Sequence, residues 1–276
     1  MEERKIRKVV REGYAKIAKN ETSCCSEAAP CSCTGETSED ISRNIGYSEG
    51  ELRSVPEGAN LGLGCGNPVA LASLKEGETV LDLGSGGGFD CFLAANRVGQ
   101  KGRVIGVDMT PEMLDKARGN ARKARYANVE FRLAEIENLP VADGSVDVVI
   151  SNCVINLSPN KKRVFEEAFR VLKPNGRLMV SDIVLLKELP EIIRKNVKAY
   201  VGCISGAERK NKYLQLIKEA GFKEVKIVEE KHFPLKYMIN DPTAQAIIRT
   251  SKLSAEKIRE IGDAVASVKV FGVKSA

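Results

Sequence analysis

The stretch GETVLDLGSGGGFD, residues 77–90, begins with a short apolar run, turns through Gly84, Gly86, Gly87 and Gly88, and then enters a segment of helix length. Glycines directly after a strand let the backbone approach a ligand at a helix N-terminus. Because glycines also serve plain tight turns, Asp108 adds the needed weight. It ends the next apolar run about 20 residues on, where a carboxylate can take ribose hydroxyls. The spacing is G-x-G-x-G rather than the dinucleotide G-x-G-x-x-G, and Asp82 precedes it.

Working outward, apolar runs of strand length at 79–83, 103–107, 129–133, 146–151 and 177–182 alternate with helix-length segments. That alternation predicts a parallel α/β sheet. After VIGVDM, Thr110 offers an N-cap, Pro111 suits the first helical position and Glu112 the first-turn dipole. A helix over 160–172 is expected to stop at KPNG, and runs at 224–228 and 267–274 are expected to add edge strands. Upstream, Ile6, Val9, Val10 and Ile17 recur at helical spacing over 3–18. The polar stretch NETSCCSEAAPCSCTGETSED reads as a loop. The expected division is an N-terminal helix and cysteine-rich loop (1–60), a core (61–230) and a C-terminal extension with an edge strand (231–276).

With 276 residues, 43% of them hydrophobic, the chain can bury a substantial core. A net charge of +6 is spread along the chain, and KARGNARKARY (116–126) reads as a solvated helix face, so no nucleic acid partner is expected. No apolar run reaches membrane-span length and the N-terminus lacks the hydrophobic stretch of a signal peptide, which predicts a cytoplasmic protein with no membrane contact. Cytosolic thiols stay reduced, so cysteines 24, 25, 31, 33, 65, 91, 153 and 203 are expected to remain thiols rather than form a disulfide scaffold. The C-C-x5-C-x-C spacing of the first four does not match paired C-x2-C zinc sites. Cys91 reads as a buried helix residue. Cys65 either fills a tight loop or, given the glycines beside it, marks a close approach. Cys153, in SNCVINLSP, stands where a buried strand ends, the edge of a parallel sheet at which ligands bind.

The motifs VLDLGSGGG, VIGVD, AEIENLPVADGSVDVVISN and RVLKPNGRLMVSD resemble the successive motifs of class I S-adenosylmethionine-dependent methyltransferases. The resemblance implies a Rossmann-like, mainly parallel seven-stranded sheet with helices on both faces. It also implies that Asp82, Gly84 and Gly86 hold the methionine end of the cofactor, with Ser85 and Asn152 beside them. Asp108 would take the ribose hydroxyls, Met109 would pack on the adenine, and Glu135 with the backbone of Ile136 would read its edge. VPEGANLGLGCGNP and SNCVINLSP, with VREGYAKIA near the N-terminus, resemble arsenite methyltransferases more narrowly. In that family Cys65, Cys153 and the cysteine of YVGCISG, Cys203, would hold trivalent arsenic.

Trivalent arsenic is soft, prefers thiolates and keeps a lone pair when three-coordinate. That lone pair carries no proton, so methyl transfer requires no general base, and the chain's only histidine, His232, lies outside every motif. Cys24 or Cys25 would exchange disulfides with Cys65 or help to capture arsenite, with a thioredoxin-type or small thiol as reductant. The expected partners are arsenite and methylarsenite, and the expected state is a monomer. Two other classes stand beside this one: a methyltransferase for an organic acceptor such as a quinone, which has no use for converging cysteines, and a non-enzymatic metal sensor, which has no use for the glycine and Asp108 pattern.

Overall fold

The computed structural model describes residues 3–19, 37–189, 206–232 and 255–276. The N-terminal periodicity forms α1 (Glu3–Lys19), and two short helices follow, α2 (Ser38–Asn44) and α3 (Glu49–Arg53). Both short helices open on capping boxes, Thr37 with Asp40 and Ser48 with Glu51, which satisfy otherwise orphaned backbone N–H groups. After α4 (Pro68–Leu71) the alternation begins: β1 (Thr79–Leu83), α5 (Phe89–Val98), β2 (Arg103–Asp108), α6 (Pro111–Lys123), β3 (Val129–Leu133) and β4 (Val146–Asn152). A 3-10 turn (Ile155–Leu157) leads to α7 (Lys161–Val171), β5 (Leu172–Leu185), α8 (Lys210–Glu219), β6 (Lys223–His232), α9 (Ala255–Asp263) and β7 (Val265–Val273).

Among the described residues the strands form one seven-stranded sheet in the order β3-β2-β1-β4-β5-β7-β6. The first five are parallel, and β7 runs antiparallel to both of its neighbours. One face is covered by Val164, Phe165 and Ala168 of α7 and Tyr213 and Ile217 of α8, the other by Phe92 and Ala95 of α5 and Leu114 and Ala117 of α6. Each large apolar side chain so buried contributes roughly 1.5–3 kcal/mol. No helix among the described residues is long and apolar enough to cross a membrane.

One local expectation is corrected and two are refined. The C-terminal strand, expected at an edge, lies inside the sheet: β7 pairs with β5 from Val265 to Val273 and with β6 on its other side. Its near-continuous burial is that of a strand covered on both faces, whereas β6 is mostly exposed and forms the edge. The helix ends at Val171, just before KPNG as expected, and β5 begins at once at Leu172. The register jumps from Val146–Leu172 to Val148–Arg177, and Asn175 takes φ +62° within the bulged excursion. Thr110 occupies the N-cap of α6 but its side chain makes no capping bond there; its backbone N–H donates to Asp108 Oδ1 at 2.8 Å.

The strand order reverses between β1 and β4, so their carboxyl ends lie side by side at the switch point of the sheet. Gly84 follows β1 with φ +74°, and a Cβ added there would overlap the side chain of Val154. Glycine is required on both counts.

The segment between the N-terminal helices and β1 is anchored by Arg177 of β5. Its guanidinium reaches both carboxylate oxygens of Glu78 at 2.7 and 2.8 Å, and donates to the carbonyls of Ala72 and Ser73 at 2.7 and 2.8 Å. Both side chains are 15% exposed. Removing one partner of a largely buried pair leaves the other uncompensated, so Arg177→Ala is expected to destabilise the fold by about 2–3 kcal/mol. A urea titration checks this; an unchanged midpoint would remove the anchor.

Candidate active site

Four chain segments meet at the carboxyl ends of β1, β2, β4 and β5. The glycine turn follows β1. Asp108, at the end of β2, accepts from the backbone N–H of Gly86 at 3.0 Å through Oδ2 while Oδ1 takes Thr110 N–H, so one carboxylate fixes both the turn and the start of α6. Burial pushes its pKa up, and those backbone N–H bonds pull it back. Asp82 is buried under the turn and accepts from the Cys91 thiol at 3.2 Å. Its pKa is raised well above the carboxylate range by burial and by the neighbouring charge of Asp90. Asp90, at the start of α5, is raised to about 6, chiefly by burial, with Tyr47 and Asn152 opposing. Buried carboxylates so closely grouped favour a cationic ligand. The Ser85 hydroxyl, in the same turn, is buried and has no hydrogen-bond partner among the described residues.

Cys153 follows β4 with φ +58°, a left-handed conformation that is uncommon for a residue with a Cβ. Its N–H donates to Ser181 O at 2.8 Å, which carries the β4–β5 ladder one step beyond the strand before the chain turns. Cys65 arrives from a distant loop and is buried. The two sulfurs and a carboxylate oxygen of Asp182 all lie within 4.8 Å of one another. Cys65 Sγ also lies 3.7 Å from Ser181 Oγ, and Ser267 of β7 donates its hydroxyl to the Cys65 carbonyl at 2.7 Å. Asp182 accepts from Asn156 Nδ2 at 2.8 Å, Ile183 N–H at 2.9 Å and Tyr213 Oη at 3.0 Å. Burial pushes its pKa up to about 6.

Around this centre Val10 of α1 packs in one cluster with Cys65, Leu157, Ile183 and Val265, and Met109 and Cys153 border it. Arg7 of α1 ion-pairs with Glu135 at 3.1 Å and Glu137 at 3.3 Å, which ties the helix to the connection that follows β3. Ile136 is buried in the main core.

The structure thus brings Asp82, Gly84, Ser85, Gly86, Asp108, Met109, Asn152, Cys65 and Cys153 to one end of the sheet. Cys203 and Cys24, Cys25, Cys31 and Cys33 lie outside the described residues. Glu135 engages Arg7, and Asn152, expected beside the cofactor, directs its amide to the Cys65 loop. Cys91 is buried in α5, as its position implied, and His232 is exposed at the end of β6. Sequence reasoning missed Tyr47, Asp90, Asp182 and Tyr213. Asp182 carried the signal that singled out Asp108, a polar residue at the end of an apolar run; Tyr47 carried none.

The chain matches the family model described as a methyltransferase domain over residues 74–221. It is 51% identical over 228 residues to the arsenite methyltransferase of Halobacterium salinarum, covering 80% of this chain and 58% of that protein. With the arsenite methyltransferase of Aquipseudomonas alcaligenes it shares 43% over 175 residues, 61% of this chain and 50% of that one. The chain therefore spans about half the length of the curated relatives it matches. The crystal structure of an arsenic(III) S-adenosylmethionine methyltransferase from Chlamydomonas reinhardtii superposes with a TM-score of 0.63 at 32% identity, covering 86% of this chain and 73% of that one. The matched domain, the strand order and this overlap agree: the chain belongs to the class I S-adenosylmethionine-dependent methyltransferases, within the arsenite methyltransferase family.

Proposed function

We propose that the protein methylates trivalent arsenic, arsenite and then methylarsenite, held on cysteine thiolates. The observation that carries the reading is the convergence of Cys65 and Cys153 beside the glycine turn, since a soft element selects sulfur ligands and an organic acceptor requires none. Cys203, which follows β5 in sequence, is the third thiolate of the proposal.

The residues present fit the cofactor. Asp108 offers a carboxylate at the end of β2, Gly84 admits close backbone approach, the Ser85 hydroxyl has no partner among the described residues, and Asp82 and Asp90 favour positive charge. Bound S-adenosylmethionine supplies an electrophilic methyl on a sulfonium centre, for which the arsenic lone pair is the acceptor. Each thiol that engages arsenite forms a sulfur–arsenic bond while its proton leaves with a hydroxide as water. The thiolates thereby fix arsenic as a pyramid. Packing of α1 through Val10 against the thiol cluster limits water there. Accepting a methyl cation takes arsenic formally from trivalent to pentavalent, and two thiols closing to a disulfide return the two electrons. Cys24 or Cys25 with Cys65 is the pair proposed, and a thioredoxin-type or small thiol regenerates it. A monomer in the cytoplasm, where thiols stay reduced, suits this cycle.

The direct test is incubation with arsenite, a thiol and methyl-labelled cofactor, followed by separation of methylated arsenicals. Label in methylarsenicals is expected, and none overturns the reading. Asp108→Ala is expected to weaken cofactor binding about ten- to a hundredfold, corresponding to about 1.5–3 kcal/mol for lost bonds to a charged acceptor, with arsenite binding little changed. Calorimetric titration of both ligands reads it.

The same calorimetry tests the buried carboxylates. In the unliganded protein Asp90, raised to about 6, is partly protonated near that pH, and burial together with the charge of Asp90 pushes Asp82 up as well. A cationic ligand favours their charged forms, so cofactor binding should release protons, and the observed enthalpy should differ between buffers of unlike ionisation heat. Identical enthalpies would contradict that coupling.

Arsenite offers three positions to thiolates and methylarsenite two, because carbon holds the third. Cys65→Ser should lose most arsenite methylation yet keep much of its activity on methylarsenite, whereas Cys153→Ser and Cys203→Ser fail on both. Initial rates under excess reductant decide; equal loss of both activities in Cys65→Ser refutes the valence count.

A further inference from the structure

Asn152 is the last residue of β4, directly before Cys153, and its carboxamide is fully engaged. Oδ1 accepts the backbone N–H of Cys65 at 3.0 Å, across 87 residues of chain. Nδ2 faces three acceptors: the Gly66 carbonyl at 2.8 Å, Tyr47 Oη at 2.9 Å and Asp90 Oδ2 at 3.0 Å. Tyr47 Oη in turn donates to Asp90 Oδ1 at 2.6 Å. The amide orientation follows from these partners, because reversing it would set an oxygen against a carbonyl and a carboxylate. Two N–H hydrogens shared among three acceptors leave none for a ligand. At Gly64 a Cβ would come within 2.8 Å of Asn152 Nδ2, so the loop lies directly on this side chain.

We propose that Asn152 is a positioning residue for the Cys65 thiol, held in place by Tyr47 and Asp90, and not a cofactor contact. It grips the backbone on both sides of the Cys65 side chain, at the Cys65 N–H and the Gly66 carbonyl. Cys153 is covalently next to Asn152, so one residue sets the register between the two thiols. Asp90 also neighbours Asp82, so the clamp stands on the helix that begins at the glycine turn. The inference rests on the reading of Cys65 as an arsenic ligand. Its consequence is specific: under excess small thiol, which takes the place of Cys65 in the reductive step, losing the clamp should impair only the step that needs Cys65 as an arsenic ligand.

Asn152→Ala and the milder Tyr47→Phe, made in the full chain, test it with three measurements. In Asn152→Ala, kcat/KM for arsenite is expected to fall about a hundredfold, the scale of a misplacement near 1 Å, while methylarsenite turnover and cofactor affinity change by less than about threefold. Tyr47→Phe should show the same split at about tenfold, since one hydrogen bond of the clamp is lost. Alkylation of Cys65 by iodoacetamide, mapped by mass against Cys153 in the same sample, should accelerate in both variants. A purely structural role would depress both substrates together, and a cofactor role would lower cofactor affinity with Cys65 alkylation unchanged; either result overturns the proposal. Cys65→Ser, assayed alongside, separates the two readings. If it methylates arsenite at full rate, the ligand role of Cys65 fails, and the alkylation rates alone decide whether Asn152 holds the loop.

Discussion

Gly84 and Val154 share the narrow gap between the carboxyl ends of β1 and β4, and a single Cβ at residue 84 would close it. That contact sets the distance between the glycine turn and the segment carrying Cys153. Parallel strands one ladder apart are separated by about 5 Å, so any ligand at the switch point of this sheet is adjacent to whatever follows β4. Here it is a cysteine in a left-handed turn. The stored backbone strain is supported by the ladder bond to Ser181 and by the clamp on Asn152.

Charge follows the same geometry. Asp82, Asp90, Asp108 and Asp182 are concentrated at one end of the sheet, and burial raises each pKa. Asp108 and Asp182 are satisfied largely by N–H and O–H donors rather than by cations. Burying these carboxylates costs folding stability and favours their neutral forms, and a cationic ligand would shift them towards the charged ones.

The ends of the chain take part as well. Ser267 of β7 bonds the Cys65 carbonyl, and Lys269, buried in the same strand, pairs with Glu229 at 2.8 Å beneath that loop. Val10 and Arg7 bring α1 over the thiols and the loop after β3. The core sheet, the C-terminal strand and the N-terminal helix all support the position of one cysteine.

The alternation of strands and helices, the glycine turn, Asp108 and the placement of Cys153 at a strand end were legible in the sequence alone, because each depends on local periodicity, turn chemistry or a position within one element. What only the tertiary structure decided concerns partners far apart in the chain. β7 sits inside the sheet because its two buried faces need cover, a fact that an apolar run by itself states without naming neighbours. The amide of Asn152, a residue expected beside the cofactor, bonds Cys65, Gly66, Tyr47 and Asp90, since a carboxamide bonds whichever groups the fold delivers. Tyr47 and Asp182 gained their meaning from donors and acceptors brought in by other elements. Cys65 met Cys153 through a loop that no local pattern aims; close backbone approach, hydrogen-bond satisfaction and burial, all long-range, determine where it ends.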